Sequence, residues 1–314
     1  MKRVFPEQKA VIRRERRKWR RLAEDGVSFL RQDSFLPGGF LFRKFSFPSS
    51  FLSAGPAKGG EGDKPFRVLF FTDTHIRSGE SRSFFPTYAW KGTSLVRENL
   101  LEAVAAGEPD AIVFGGDLAG ESSCFPEGAA LFGELPLKRK FAVYGNWDKK
   151  GKTLLSYGER CKMLEKSGVS LLVNEGVFLR EDLYLFGLDD TRTGYPLFSL
   201  PQEAEKEGLV RLIVSHNPDT VTGRLKEEEI RSTDIFLCGH THGGQIRIPF
   251  FGALRTSSHS GKKLEKGWYI HRETHARMFV SSGIGTTFIQ TRIFTPPEIV
   301  LLEFPPLSGG ANPQ

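Results

Sequence analysis

Seven polar side chains stand where short apolar runs of the sequence end. Asp73 and His75 follow the run 66–71, Asp117 follows 111–114, and Asn146 follows 141–144. His216 follows 209–214, and His240 and His242 follow 235–238. Imidazole, carboxylate and amide oxygen together suit borderline divalent cations: manganese, iron, zinc, nickel or cobalt. No cysteine belongs to the set, which argues against a structural zinc site. Seven donors are too many for one ion that keeps an open position. They are about the number two ions need when they share a bridging carboxylate, ~3.5–4 Å apart. Turn and capping chemistry would account for any one of these residues alone, but not for the series.

The elements that must position them follow from the apolar pattern. Continuous apolar runs at 66–71, 111–114, 141–144, 183–187, 209–214, 235–238, 278–281 and 299–304 predict buried strands. Helical periodicity covers 95–106 and 153–166, with weaker helices at 203–207 and 220–231. Alternation of this kind predicts α/β layers with helices covering the sheet. In open α/β sheets the crevice at the carboxyl ends of the strands is where sites form, and that is where the seven residues fall.

Read in order, Asp73-x-His75, Gly116-Asp117, Gly145-Asn146-x-Asp148, His216 and Gly239-His240-Thr241-His242 resemble the signature of the calcineurin-like metallophosphoesterases. The resemblance spans about residues 66–304. The stretch 239–254, with 282–286, Arg292 and 297–299, resembles a narrower YkuE/YaeI-like branch, to which the chlamydial-type UDP-2,3-diacylglucosamine pyrophosphatase is similar. The resemblance implies a four-layer α/β/β/α sandwich. It implies one metal on Asp73, His75, Asp117 and His242, and a second on Asp117, Asn146, His216 and His240, with Asp117 bridging. It also implies an activated water attacking phosphorus in line, with Asn146 and His242 taking part in catalysis. One position departs from the family pattern: Trp147 stands where a histidine is usual, and that histidine serves the phosphate, often as general acid. Indole Nε1–H donates a hydrogen bond but does not give up its proton in that sense. Trp147 and Arg77, the latter just past the first motif, are the candidate substrate contacts. His271 and His275 are expected at the surface.

The chain of 314 residues is 39% apolar and 26% charged, a globular composition. No apolar run reaches the ~18 residues of a spanning helix. Three cysteines without CxxC spacing exclude a disulfide framework and fit a reducing compartment. Charge is uneven: residues 1–62 carry 14 Lys and Arg against 6 Asp and Glu, while the remainder is near neutral. Seven cations crowd positions 13–21, a Phe-rich segment follows, and 54–62 reads as a flexible linker. No apolar segment follows the basic stretch, so it does not read as an export signal. The expectation is a basic, Phe-rich extension and linker over 1–62 and a catalytic domain over 63–314. The extension would rest on an anionic membrane, since cations plus apolar insertion make a two-part anchor; nucleic acid is the less favoured partner. The implied function is a two-metal hydrolase of phosphodiesters or pyrophosphates, cytoplasmic or peripheral at the inner membrane face. A lipid-linked nucleotide such as UDP-2,3-diacylglucosamine is the specific substrate expected. A nuclease, a general phosphodiesterase and a metal-bound non-catalytic scaffold are the alternatives.

Overall fold

The computed structural model describes residues 6–22, 29–48, 64–79, 88–89, 92–149 and 155–306. Two seven-stranded sheets face one another. The first runs β2 (Leu30–Leu36), β3 (Phe40–Ser46), β18 (Glu298–Phe304), β4 (Phe66–Phe71), β6 (Ala111–Phe114), β7 (Lys140–Ala142) and β8 (Val169–Leu171). The second runs β1 (Trp19–Arg21), β15 (Gly267–His271), β16 (Arg277–Val280), β12 (Ile235–Cys238), β11 (Val210–Ser215), β10 (Leu183–Leu188) and β9 (Glu175–Arg180). Two short ribbons pair β13 (Arg247–Ile248) with β14 (Gly252–Ala253), and β17 (Thr291–Arg292) with β5 (Tyr88–Ala89). Strands β4, β6, β7 and β8 are parallel, as are β10, β11, β12 and β16.

The strand period of two sorts side chains into layers. On β4, Val68 and Phe70 point between the sheets and join Leu185, Leu212, Leu237 and Phe279. Leu69 and Phe71 point outward, beneath α2 (Thr93–Gly107), α3 (Phe125–Glu134) and α4 (Tyr157–Lys166), where they meet Leu100, Phe132 and Leu164. On the far side, Phe186, Ile213 and Phe236 pack with Val221 of α5 (Pro218–Gly223) and Ile230 of α6 (Glu227–Arg231). The result is the expected α/β/β/α sandwich. Helix α4 starts at Tyr157 because Ser156 and Glu159 form a reciprocal capping box; 153–154 lie outside the described residues. The run 220–231 breaks into two short helices, and 203–207 yields only a single 3₁₀ turn, Gln202–Ala204.

The division at residue 62 does not hold for the described residues. Strand β3 lies parallel to β18 near the middle of the first sheet, and β1 closes the edge of the second. Phe45 and Phe47 fill the space between the sheets beside Trp268, while Phe40 and Phe42 lie under the helices. Trp19 is buried, and α1 (Pro6–Glu15) lies on α5 with Ile12 inward. Two of the cations are matched by acids from the far end of the chain: Arg43 by Glu298 at 2.8 Å and Lys44 by Glu303 at 2.8 Å. The Phe residues at 40, 42, 45 and 47 are therefore core and not a membrane insert. The linker at 54–62 lies outside the described residues. Among the described residues no helix is long and apolar enough to cross a membrane.

Lys18 pins this segment through Glu273 at 2.9 Å, Glu227 at 3.0 Å and Glu15 at 3.4 Å. The hydrogen bond from Lys18, reinforced by its charge, holds the Glu227 carboxyl down at about 2, against an ordinary 4.5. A carboxylate depressed on folding adds stability that is whole above its unfolded pKa and is lost as pH falls through the folded one. Wild-type protein should therefore lose a small stability increment between about pH 4.5 and 2. Lys18→Met should remove that slope in acid-denaturation curves; an unchanged acid limb in the variant would refute the assignment.

Candidate metal centre

Strands β4, β6 and β7 of one sheet and β11 and β12 of the other end at the same edge of the sandwich, and the seven residues follow them directly. Five of the seven turn back on themselves in the left-handed region: Asp73 (φ 54°), His75 (43°), Asp117 (61°), His240 (68°) and His242 (53°). Such backbone is uncommon for residues with a Cβ, and it persists where the surroundings enforce it. Two glycines make the close approach possible. Gly116 sits at φ 93°, where a Cβ would overlap the Gly145 nitrogen, and a Cβ on Gly145 would overlap the Asp117 carboxylate.

The donor atoms converge in two groups, Asp73 with His75 and His242, and Asp117 with His216 and His240, all buried. His75 Nε2 lies 3.1 Å from His242 Nε2, and His242 Nε2 lies 3.3 Å from Asp73 Oδ1. In the second group His216 Nε2 is 3.3 Å from Asp117 Oδ2 and 3.3 Å from His240 Nδ1. The same Asp117 Oδ2 is 3.4 Å from His75 Nε2, so this one oxygen faces both groups. Ligands about 2.1 Å from a shared cation and at right angles stand about 3 Å apart, so these spacings fit coordination edges. Asp73 Oδ1 and Asn146 Oδ1 are buried without a hydrogen-bond partner in the protein, as oxygens awaiting a cation would be.

Electrostatics agree. Burial alone would raise the Asp73 carboxyl, but His242, His216 and His75 hold it far below the usual range. Burial would lower His216, yet Asp117 and Asp73 push it up to about 10. The two buried carboxylates thus draw positive charge, and metal binding would release that proton. His242 is driven down to about 3 by burial, with Asp73 opposing and His75 and Arg292 adding to the fall, and so keeps a free lone pair.

Three residues outside the predicted set hold the site together. The buried Asp148 carboxylate accepts from the backbone N–H of Asp117 (2.7 Å), Leu118 (2.8 Å) and Gly145 (2.8 Å), tying the ends of β6 and β7. Arg292, fully buried, donates to the carbonyls of Ser282 (2.8 Å), Gly285 (2.9 Å) and His242 (3.4 Å). The carbonyl of Gly115 accepts from His216 Nδ1 at 2.8 Å, which turns Nε2 toward the site, where it would give up its proton to a cation. Asp148 and Arg292 stood within recognisable motifs; the Gly115 carbonyl carried no sequence signal at all.

Trp147 is half-buried at the mouth, its ring edge-on to His75 at 5.4 Å, while its backbone N–H donates to Asp117 Oδ1 at 2.7 Å. Arg77, the other candidate substrate contact, is buried and donates to the Thr286 carbonyl at 2.8 Å, which gives it a task in the scaffold. His275 is exposed, but His271 is buried edge-on against Trp19, centroids 5.1 Å apart, and bonded to the Thr274 backbone, because β1 covers it.

The calcineurin-like phosphoesterase family profile matches residues 66–244. Phosphodiesterase YaeI of Escherichia coli is 30% identical over 251 residues, covering 76% of this chain and 82% of its own length. The metallophosphoesterase YkuE of Bacillus subtilis is 27% identical over 252 residues, covering 75% of this chain and 78% of its own length. UDP-2,3-diacylglucosamine pyrophosphatase LpxG of Chlamydia muridarum is 29% identical over 152 residues, covering 45% of this chain and 43% of its own length.

Proposed function

The chain belongs to the calcineurin-like phosphoesterase family, and from that premise we propose a manganese-supported hydrolase of phosphodiester or pyrophosphate bonds. Asp73, His75 and His242 would hold one ion, Asn146, His216 and His240 the other, and Asp117 both. The observation that carries this reading is the single Asp117 oxygen placed 3.4 Å from one group and 3.3 Å from the other. Two divalent ions so held supply Lewis acidity at a phosphoryl oxygen and a nucleophile from water at neutral pH. The rest falls to the chain. Asn146 and His242 would also orient the phosphate. Asp148 keeps the Asp117 and Asn146 loops in register, and burial of all the donors excludes bulk water.

Trp147 shapes the choice of substrate. With indole in place of an imidazole acid, the leaving oxygen departs as an anion. Pyrophosphates and aryl diesters tolerate this and simple alkyl esters do not. General acid catalysis contributes ~10²–10⁴-fold. We therefore expect alkyl phosphomonoesters to lag aryl diesters by at least ~10²-fold, and Trp147→His to narrow that gap by raising the alkyl rate. Equal rates for both classes in the unmodified enzyme would defeat the reading.

The finer proposal is a lipid-linked nucleotide pyrophosphate such as UDP-2,3-diacylglucosamine, met at the cytoplasmic face of a membrane. The partial similarity to LpxG supports it, and the anionic leaving group expected from Trp147 is compatible with it. Turnover of that substrate beside simple diesters and single-stranded nucleic acid, in manganese-loaded protein, tests it. Preference for nucleic acid would sink it.

A further inference from the structure

Two chain segments downstream of the ligands project large apolar side chains into solvent. The β13–β14 hairpin carries Phe250 (106% exposed) and Phe251 (78%) at its tip, flanked by Ile248 and Leu254. The segment around β17 carries Phe288 (83%), Ile289 and Phe294 (66%). The two segments form one support. The Arg247 N–H donates to the Ile293 carbonyl and the Ile293 N–H to the Gln245 carbonyl, each at 3.0 Å, and the Gln245 amide donates to Thr291 O at 2.9 Å. Phe250, Phe288 and Phe294 all hold positive φ (67°, 52° and 51°), a conformation strained for bulky side chains. Three exposed rings held there by the backbone gain no burial in return, so the arrangement points to an external use.

Cations surround these rings. Arg21 and Lys262 line the same hollow as Phe250, Phe251 and Phe294, and Glu265, the one acid among the described residues lining it, is engaged by Arg247 at 2.6 Å. Beyond Lys262 the basic surface continues: Arg16 donates to the Ser260 carbonyl at 2.8 Å, and Arg16, Arg17 and Arg272 depress the Lys263 ammonium, after burial, by their charge. The face also adjoins the metal centre, since Phe288 packs 6.3 Å from Trp147, whose ring meets His75.

We propose that this face docks on an anionic lipid bilayer, with the phenyl rings entering the acyl boundary and the cations lying among the headgroup phosphates. Separate prongs of phenyl and aliphatic side chains, ringed by positive charge, suit a fluid interface that each can enter independently. Aliphatic Ile248, Leu254 and Ile289 give nucleic acid nothing to stack on. The docking is independent of the substrate proposed above and is measured without turnover.

The experiment is co-sedimentation of the full chain with phosphatidylcholine vesicles containing one-third phosphatidylglycerol, and with pure phosphatidylcholine. The wild type should bind the anionic vesicles, more weakly as salt rises, and barely bind the neutral ones. Phe250→Ser with Phe251→Ser should weaken binding by at least ~10-fold, since two buried phenyl groups are lost. Arg21→Glu with Lys262→Glu should weaken binding to the anionic vesicles alone. Both variants should keep the wild-type melting transition and turnover of a soluble aryl diester, which separates lost docking from lost folding. Absent binding by the wild type, or undiminished binding by the Phe double variant, would overturn the proposal. So would a wild-type dimer that the Phe double variant dissociates, since the prongs would then belong to a second copy.

Discussion

Alanine at Asp117 should leave turnover at least about 10³-fold below wild type, because several kcal/mol of metal-borne stabilisation disappear at once. The expected loss exceeds that of any single terminal ligand, since Asp117 Oδ2 faces both donor groups. Elemental analysis of manganese-reconstituted protein should give two ions per chain for the wild type and at most one for the variant. His242→Ala, which touches one group only, should retain part of the metal with little activity. Asp117→Asn provides the control for local structure: it can still accept the Trp147 N–H bond while losing the charge. Full activity in metal-depleted Asp117→Ala protein would end the two-ion reading.

Deletion of residues 1–62 should yield an insoluble chain with no activity on any substrate. The cut removes β1, β2 and β3 and bares one side of β18, an apolar strand with unpaired backbone groups. It also removes Trp19, Phe40, Phe42, Phe45 and Phe47 from their clusters. Each such side chain contributes roughly 1.5–3 kcal/mol by burial, and together they rival the ~5–15 kcal/mol that holds a domain folded. Phe45→Ala alone should cost about 3–5 kcal/mol, read as a lower denaturation midpoint with unchanged slope. A soluble, active chain lacking 1–62 would show that these strands are dispensable.

The ligand series was legible because each member follows a short apolar run, and a run of that kind is a local signal. Strands buried on both faces, such as β4, β6 and β12, read clearly for the same reason. The N-terminal strands did not. In β3 the phenyl groups divide between two layers, Phe40 and Phe42 outward and Phe45 inward, and Arg43 and Lys44 interrupt them. Their partners, Glu298 and Glu303, lie more than 250 residues away, so neither pairing nor neutralisation is visible locally. Helix α3 escaped notice because Gly128 and Gly133 weaken its helical preference, although Phe125, Ala129 and Phe132 bury one face. The orientation of His216 depends on a backbone carbonyl, and side-chain types cannot announce that.

The left-handed backbone at Asp73, His75, Asp117, His240 and His242 bears on how this sequence can change over generations. Held there, non-glycine residues cost on the order of 1 kcal/mol or more each, and glycine relieves that strain without disturbing the turns. Selection for hydrolysis therefore works against selection for stability at five positions together. A lineage freed from catalysis has a downhill route, and its first accepted changes at these positions should be to glycine, not alanine. Alanine removes the ligand yet keeps the strain, whereas glycine removes both. Within a set of descendants, glycine at the ligand positions would mark the branches where the chemistry was abandoned and the fold retained.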